Sequence, residues 1–339
     1  MEKVTINDVA EKAQVSIKTV SRVLNREPSV RSTTREHVEQ VISLMNYHPD
    51  PSARRLAGKR SFLIGILYDN PSPSYVIDNQ AGVLSQCRKY HYDLLIHPCD
   101  YLDDGLADDV KSFIKQTRPD GVILTPPLSD MPGLIKILEN METSFVCIGR
   151  AKSGRDISRV ITNDKDMAYQ MTRHLIDLGH RKIAFIKGHP DHKAVSFREQ
   201  GFTRAMRDGG LKIRNKYIAQ GYNSFQSGQE CAEKLLGRKD LPTAIFAAND
   251  DMATGVIKAA YNKKILVPDE LSVVGFDDVP FASQVSPGLT TVRQPIYEMA
   301  EMAAEMLIKR IADRANKPKD ILVGGKLVIR GSTAKPVSQ

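Results

Sequence analysis

The sequence predicts an all-α helix-turn-helix headpiece followed by an α/β core of two doubly wound parallel-sheet subdomains. Three observations carry this prediction. The first sixty residues hold three short helical patterns with a tight turn before the second; from Phe62 onward short apolar runs alternate with amphipathic stretches; and those runs form two series with a break near residue 160. A length of 339 residues suits two or three domains, and 41% hydrophobic with 26% charged residues is an ordinary globular composition. No apolar run approaches the roughly 18 residues of a membrane helix, and the N-terminus is polar, so a cytoplasmic protein with no membrane contact is expected. Cys87, Cys99, Cys147 and Cys231 lie far apart with no Cys-x-x-Cys pair, which argues against zinc ribbons, redox motifs and disulfides. Neither a metal nor a cofactor is expected.

In the headpiece, Thr5 followed by Asp8 resembles a capping box that opens a short helix with Val9, Ala10 and Ala13 on its apolar side. Gln14-Val15-Ser16 reads as a turn, with Ser16 placed to cap a second helix from Ile17 to about Asn25. At about 100° per residue, Ile17, Lys18, Ser21, Arg22 and Asn25 share one face while Val20, Val23 and Leu24 cluster opposite. A third helix from about Ser32 to Met45 carries the stripe Val38, Val41, Ile42, Met45. Such a second helix can enter a DNA major groove, where Arg22 suits guanine and Ile17 a thymine methyl. A small bundle with a solvated polar face fits the same pattern.

The segment from Asp50 to Lys59 has helix formers in its middle and glycine near its end, yet it is too short to be a stable helix alone. Leu56 sits among Arg54, Arg55, Lys59 and Arg60, which suits either a linker or an apolar wedge in a minor groove. Of the net charge of +8, half falls on residues 1–60, where 11 Lys/Arg face 7 Asp/Glu. That basic balance suits a polyanion partner or a solvated surface.

In the core, Phe62–Leu67, Asp93–Ile96, Gly121–Leu124 and Ser144–Ile148 read as buried parallel strands, as do Lys182–Ile186, Thr243–Ala247 and Leu271–Gly275. Asp164–Leu178 is an amphipathic helix that Asp164 can cap, with Ala168, Met171, Leu175 and Leu178 as its stripe. Ligands of doubly wound sheets bind beyond the strand ends. Tyr68-Asp69-Asn70 with Tyr75, Gly149-Arg150, Asn249-Asp250-Asp251 and Phe276-Asp277-Asp278 stand there, with Arg198-Glu199-Gln200-Gly201-Phe202 in a helix after the Ile186 strand. Carboxylates, an arginine and an amide beside aromatic rings suit a neutral polyol; ordinary capping by Asp and Asn is the other reading. His189-Pro190-Asp191-His192 has no common zinc spacing and reads as a polar loop. No G-x-S-x-G, H-E-x-x-H, Walker A or G-x-G-x-x-G motif occurs, so no enzyme is expected.

The runs Val4–Ala13, Val15–Asn25, Tyr47-His48-Pro49 and Ala53–Lys59 resemble the headpiece and hinge of the LacI/GalR family of bacterial transcriptional regulators. Further matches are Phe62–Gly65, Asp120–Ile123, Leu178–Ala184, Arg198 with Gly201-Phe202, Ala248–Asp250, Ser272–Asp278, Leu289–Val292 and Arg330–Ser332, which resemble the same family's effector-binding core, itself similar to periplasmic sugar-binding proteins. The resemblance implies a headpiece over 1–49, a hinge over 50–60 and a core over 61–339. Within that core it implies an N-subdomain (61–161 and 291–323) and a C-subdomain (162–290 and 324–339). It implies DNA contacts or positioning roles for Thr5, Ser16, Ile17, Lys18, Thr19, Ser21, Arg22, Asn25, Tyr47, Ala53, Arg54 and Leu56. It implies effector contacts at Arg198, Asn249 and Asp277, and variable ones at Tyr68, Asp69, Tyr75 and Arg150. Seven residues follow Ser332 without leucine heptads, so a homodimer on a pseudopalindromic operator is expected. The expected function is a repressor of carbohydrate-utilisation genes, released from DNA by a sugar or oligosaccharide. A corepressor type, strengthened on DNA by a purine or a phosphoprotein, is the alternative, and a sugar-binding enzyme a more distant one.

Overall fold

The computed structural model describes residues 4–24, 29–47, 60–149, 157–313 and 318–337. The chain forms two compact units, residues 1–61 and 62–339.

The first unit contains helices α1 (Ile6–Lys12), α2 (Ile17–Leu24) and α3 (Ser32–Leu44). The capping box forms: the Asp8 amide donates to the Thr5 hydroxyl, and Asp8 accepts from the Thr5 amide at 2.7 Å. Those hydrogen bonds hold the Asp8 carboxyl below its ordinary pKa. Helix α1 ends where Gln14 turns left-handed (φ 51°), and the Val15 amide bonds back to Ala10. Ser16 then accepts from the Thr19 amide at 3.1 Å and opens α2. Val9, Val20, Val23, Val38 and Val41 meet in one small core. Three helices of 7, 8 and 13 residues are too short to stand alone, and this shared core holds them.

The second unit begins with β1 (Leu63–Tyr68), α4 (Pro73–Tyr90), β2 (Asp93–Pro98), α5 (Leu106–Thr117), β3 (Gly121–Leu124), α6 (Pro132–Asn140), β4 (Ser144–Ile148) and β5 (Ser158–Thr162). Next come α7 (Asp164–Asp177), β6 (Ile183–Lys187), α8 (Lys193–Asp208), β7 (Ile218–Gln220), α9 (Phe225–Leu235), β8 (Ala244–Ala247), α10 (Asp250–Asn262) and β9 (Ser272–Val274). The chain closes with β10 (Thr291–Arg293), α11 (Ile296–Ala312), β11 (Asp320–Val323) and β12 (Lys326–Val328).

Two parallel sheets result, one of six strands in the order β11-β5-β4-β3-β1-β2 and one of four in the order β7-β6-β8-β9. Strands β3 and β8 are buried along their whole length, as parallel strands covered by helices must be. The chain passes between the sheets after β5, returns through β10, and passes again after β11. An antiparallel β10–β12 pair and a Gly325 amide bonded to the Asn163 side chain tie these passages together. Each sheet carries its own core; in the second, Phe185 stacks on Phe202 and meets Phe246 edge to face. Helices α7 and α8 pack so closely that a Cβ on Gly201 would lie 2.2 Å from the Lys165 carbonyl. Only glycine fits at that crossing.

Two expectations need correction. Asn163, not Asp164, is the residue preceding α7; Asp164 is the first helical residue and its buried carboxylate turns inward. Strands β5, β7, β10, β11 and β12 were not anticipated, because they are 3–5 residues long and several alternate polar with apolar residues in sheet-edge or crossing positions.

Candidate functional site

Two sites emerge, one in each unit. On α2, Val20 and Val23 are buried against α1 and α3, which turns Ile17, Lys18 and Arg22 outward; Ile17 remains 49% exposed. An isoleucine half in water beside a lysine and an arginine is a surface that gains by covering. Thr19 and Ser21 are half-buried, and the Ser16 and Thr19 hydroxyls lie 2.9 Å apart within the cap. Tyr47 is buried in the three-helix core, so it supports the bundle from within. Asn25, Ala53, Arg54, Leu56 and Arg150 lie outside the described residues, as do the other residues of 50–59.

The second site is a cleft of about 700 Å³, solvent mouth included, between the ends of the two sheets. Arg198 of α8 is its organising residue. Its Nη1 donates to the Ala248 carbonyl at 2.5 Å, its Nε lies 3.4 Å from Asp164, and its Nη2 lies 3.3 Å from Asp277. The guanidinium stacks 3.9 Å over the Phe276 ring. Asp164 also accepts from the Thr162 hydroxyl, and Asp277 from Gln294 Nε2 at 2.5 Å. The buried Asp164 and the partly buried Asp277 thus share one guanidinium at the lining of the cleft.

Burial pushes the Asp277 carboxyl above its ordinary pKa, against the pull of Arg198 and Gln294. Burial likewise raises the Tyr75 phenol, so its hydroxyl stays a hydrogen-bond donor in the cleft. His192 is pushed down to about 4 by burial, with His189 and Arg198 adding to the effect, and is neutral at pH 7. Asp251 is raised by burial and by Asp277 to about 6.

The structure brings Tyr75, Arg198, Asn249 and Asp277 together in the cleft lining. Asn249 also caps α10: its Oδ1 accepts from the Met252 amide while its Nδ2 donates to the Asn223 carbonyl, so the capping reading holds for it as well. Tyr68 and Asp69 are not in the lining; Asp69 instead accepts from the Tyr101 amide at 2.9 Å and shapes the loop after β2. Phe276 is buried beneath the guanidinium, so its ring is not free to stack on a ligand. Sequence reasoning missed Asp164, His192, Asn223 and Gln294 as lining groups.

Across the mouth, the Tyr101 hydroxyl donates to Asp191 at 3.0 Å and lies 3.4 Å from the His189 ring, while Lys193 reaches Asp130 at 3.5 Å. The His189–His192 loop is therefore a polar closure contact between the two sheet systems.

A bacterial regulatory protein model of the lacI family matches residues 5–50, and a periplasmic binding protein-like domain matches residues 172–333. The chain is 31% identical to the probable HTH-type transcriptional repressor ExuR of Bacillus subtilis strain 168, across 98% of this chain and 99% of that relative. Its structure is similar to that of the transcriptional regulator CelR in complex with cellobiose, with a TM-score of 0.75 and 26% identity over 97% of this chain and 100% of that one. It is equally similar to the lac repressor dimer bound to operator and the anti-inducer ONPF, with a TM-score of 0.75 and 27% identity over 98% of this chain and all of that one.

Proposed function

Since the chain belongs to the lacI family of bacterial regulatory proteins, we propose that it is a sequence-specific transcriptional repressor whose cleft takes a small effector that releases it from its operator. The observation that carries this reading is the presence in one chain of an outward cationic helix face on α2 and a polar cleft organised by Arg198. In this reading α2 lies in the major groove. Arg22 pairs with a guanine, Lys18 and Ile17 read neighbouring bases, Thr5, Ser16, Thr19 and Ser21 hold the backbone, and Tyr47 braces the bundle. The hinge over residues 50–60, with Ala53, Arg54 and Leu56, folds on the operator, and Asn25 extends the contact.

The effector is a neutral sugar or oligosaccharide. Arg198 is already shared by Asp164, Asp277 and a carbonyl, so among the described residues the cleft lining offers acceptors for hydroxyl groups and no uncompensated cation for an anionic ligand. Cellobiose bound to the similar regulator CelR supports this chemistry. The lobes that move are 61–161 with 291–323 and 162–290 with 324–339, and the protein acts as a homodimer on a two-fold site in the cytoplasm, nucleoid-bound when repressing. An effector shifts the equilibrium only if it binds the DNA-incompetent arrangement more tightly. No step of turnover belongs to this reading.

The test selects a binding sequence from a random DNA pool with the full chain, then follows its release by fluorescence anisotropy against a panel of sugars and nucleobases. Release by a sugar supports the proposal. Tightening by a nucleobase would transfer it to the corepressor reading, and steady conversion of the ligand to product would overturn it.

A further inference from the structure

Outside both sites, one group of three potential metal ligands stands out among the described residues: His97, Cys99 and Asp109, whose ligand atoms all lie within 4.8 Å of one another. Its placement follows from ordinary geometry. Strand β2 is the edge of the six-stranded sheet, and the Cys99 amide continues its ladder by bonding to the Tyr68 carbonyl at 2.9 Å. His97 and Cys99 are two residues apart along this extended segment, so their side chains leave by the same face. Asp109, in the first turn of α5, sits with its Oδ2 2.8 Å from His97 Nε2.

The imidazole is held in place before any ion arrives. Phe113, one helical turn after Asp109 on α5, stacks on the His97 ring with centroids 4.3 Å apart and planes at 22°. One helix therefore supplies both a ligand and the surface that orients another. Such support by a neighbouring group is what tightens metal sites beyond their ligand count.

We propose that His97, Cys99 and Asp109 form a binding site for a borderline transition-metal ion such as Zn²⁺. Tetrahedral bond lengths of about 2.0–2.3 Å place ligand atoms roughly 3.3–3.7 Å apart, so the His97–Asp109 pair needs to open by only about half an ångström. Thiolate and imidazole select against Mg²⁺ and Ca²⁺, which take oxygen ligands. Three protein ligands leave one position for water or a small anion. The site also has a route to the cleft. Two residues beyond Cys99, Tyr101 makes the closure contact with Asp191 and His189, so an ion would fix the root of that contact. This would add a metal input to the closure of the cleft.

The test uses the full-length protein and Co²⁺ as a spectroscopic stand-in for Zn²⁺. One Co²⁺ per chain, with visible bands of a tetrahedral ion and a thiolate charge-transfer band, is the expected result. Zn²⁺ should displace it. Cys99→Ser should abolish the charge-transfer band, and His97→Ala or Asp109→Asn should weaken affinity by on the order of 100-fold, with far-UV circular dichroism reporting that each variant is folded. Cys231→Ser, a thiol elsewhere in the core, should leave the spectrum unchanged. Absence of a thiolate band, its persistence in Cys99→Ser, or equal affinity in all variants would each overturn the proposal.

Discussion

At the scale of single residues, Arg198 concentrates the account. Its guanidinium serves two carboxylates and a carbonyl, and all three lose their partner if it is shortened. Arg198→Lys keeps the charge but not the fork. It should weaken effector-driven operator release by about tenfold or more while leaving effector-free operator affinity intact, a split that parallel anisotropy titrations read directly. Arg198→Ala is the harsher change, because it strands buried carboxylates at about 3–5 kcal/mol. His192 gives a pH signature. Its folded pKa, about 4, lies below the ordinary 6.5, so its contribution to stability is whole above 6.5 and is lost as pH falls toward 4. Asp251, raised to about 6, acts in the opposite sense over the same window. The comparison of His192→Asn with the parent isolates the histidine: between pH 7 and 5 the variant should lose less stability, by about 2 kcal/mol, in urea unfolding. Arg198, Asn249, Asp277 and Tyr75 were legible in the sequence because they follow strand or helix patterns. Asp164 was visible only as a helix start, since its pairing with Arg198 joins positions 34 residues apart.

Helices and their junctions carry predictions of their own. Gly201 lies where α7 and α8 touch, and its missing Cβ would meet the Lys165 carbonyl, a group that cannot swing aside. Gly201→Ala should cost about 1–3 kcal/mol in denaturant unfolding and disturb the Arg198 end of α8. In the headpiece, Thr5→Ala removes one half of a reciprocal cap and should destabilise that unit by about 1 kcal/mol, measured by its thermal unfolding. The three headpiece helices were readable because caps and apolar spacing agree there. The short strands were not: β7 and β10 have three residues each, and what makes them strands is the partner each finds across the sheet. Asp69 shows the same limit, since its place beyond β1 suggested a ligand contact while the structure uses it to hold the Tyr101 amide.

For the whole molecule, the net charge of +8 divides into equal halves on very unequal lengths of chain. The share on residues 1–60 sits with α2 and the hinge, so operator affinity should fall steeply with salt, with a log–log slope of about −4 or steeper in anisotropy titrations. A shallow slope would mean that few phosphates are neutralised. The joining of the two units into one switch is the central claim, and it is an equilibrium claim: cleft occupancy and operator occupancy must oppose each other by a fixed coupling free energy. The measurement that tests it most directly is the operator affinity of the full-length chain, at one salt concentration, with and without a saturating sugar that binds the cleft. A drop of about tenfold or more in the parent, abolished in Arg198→Lys at the same sugar concentration, is the predicted result. Operator affinity that stays constant while the sugar demonstrably binds would contradict it.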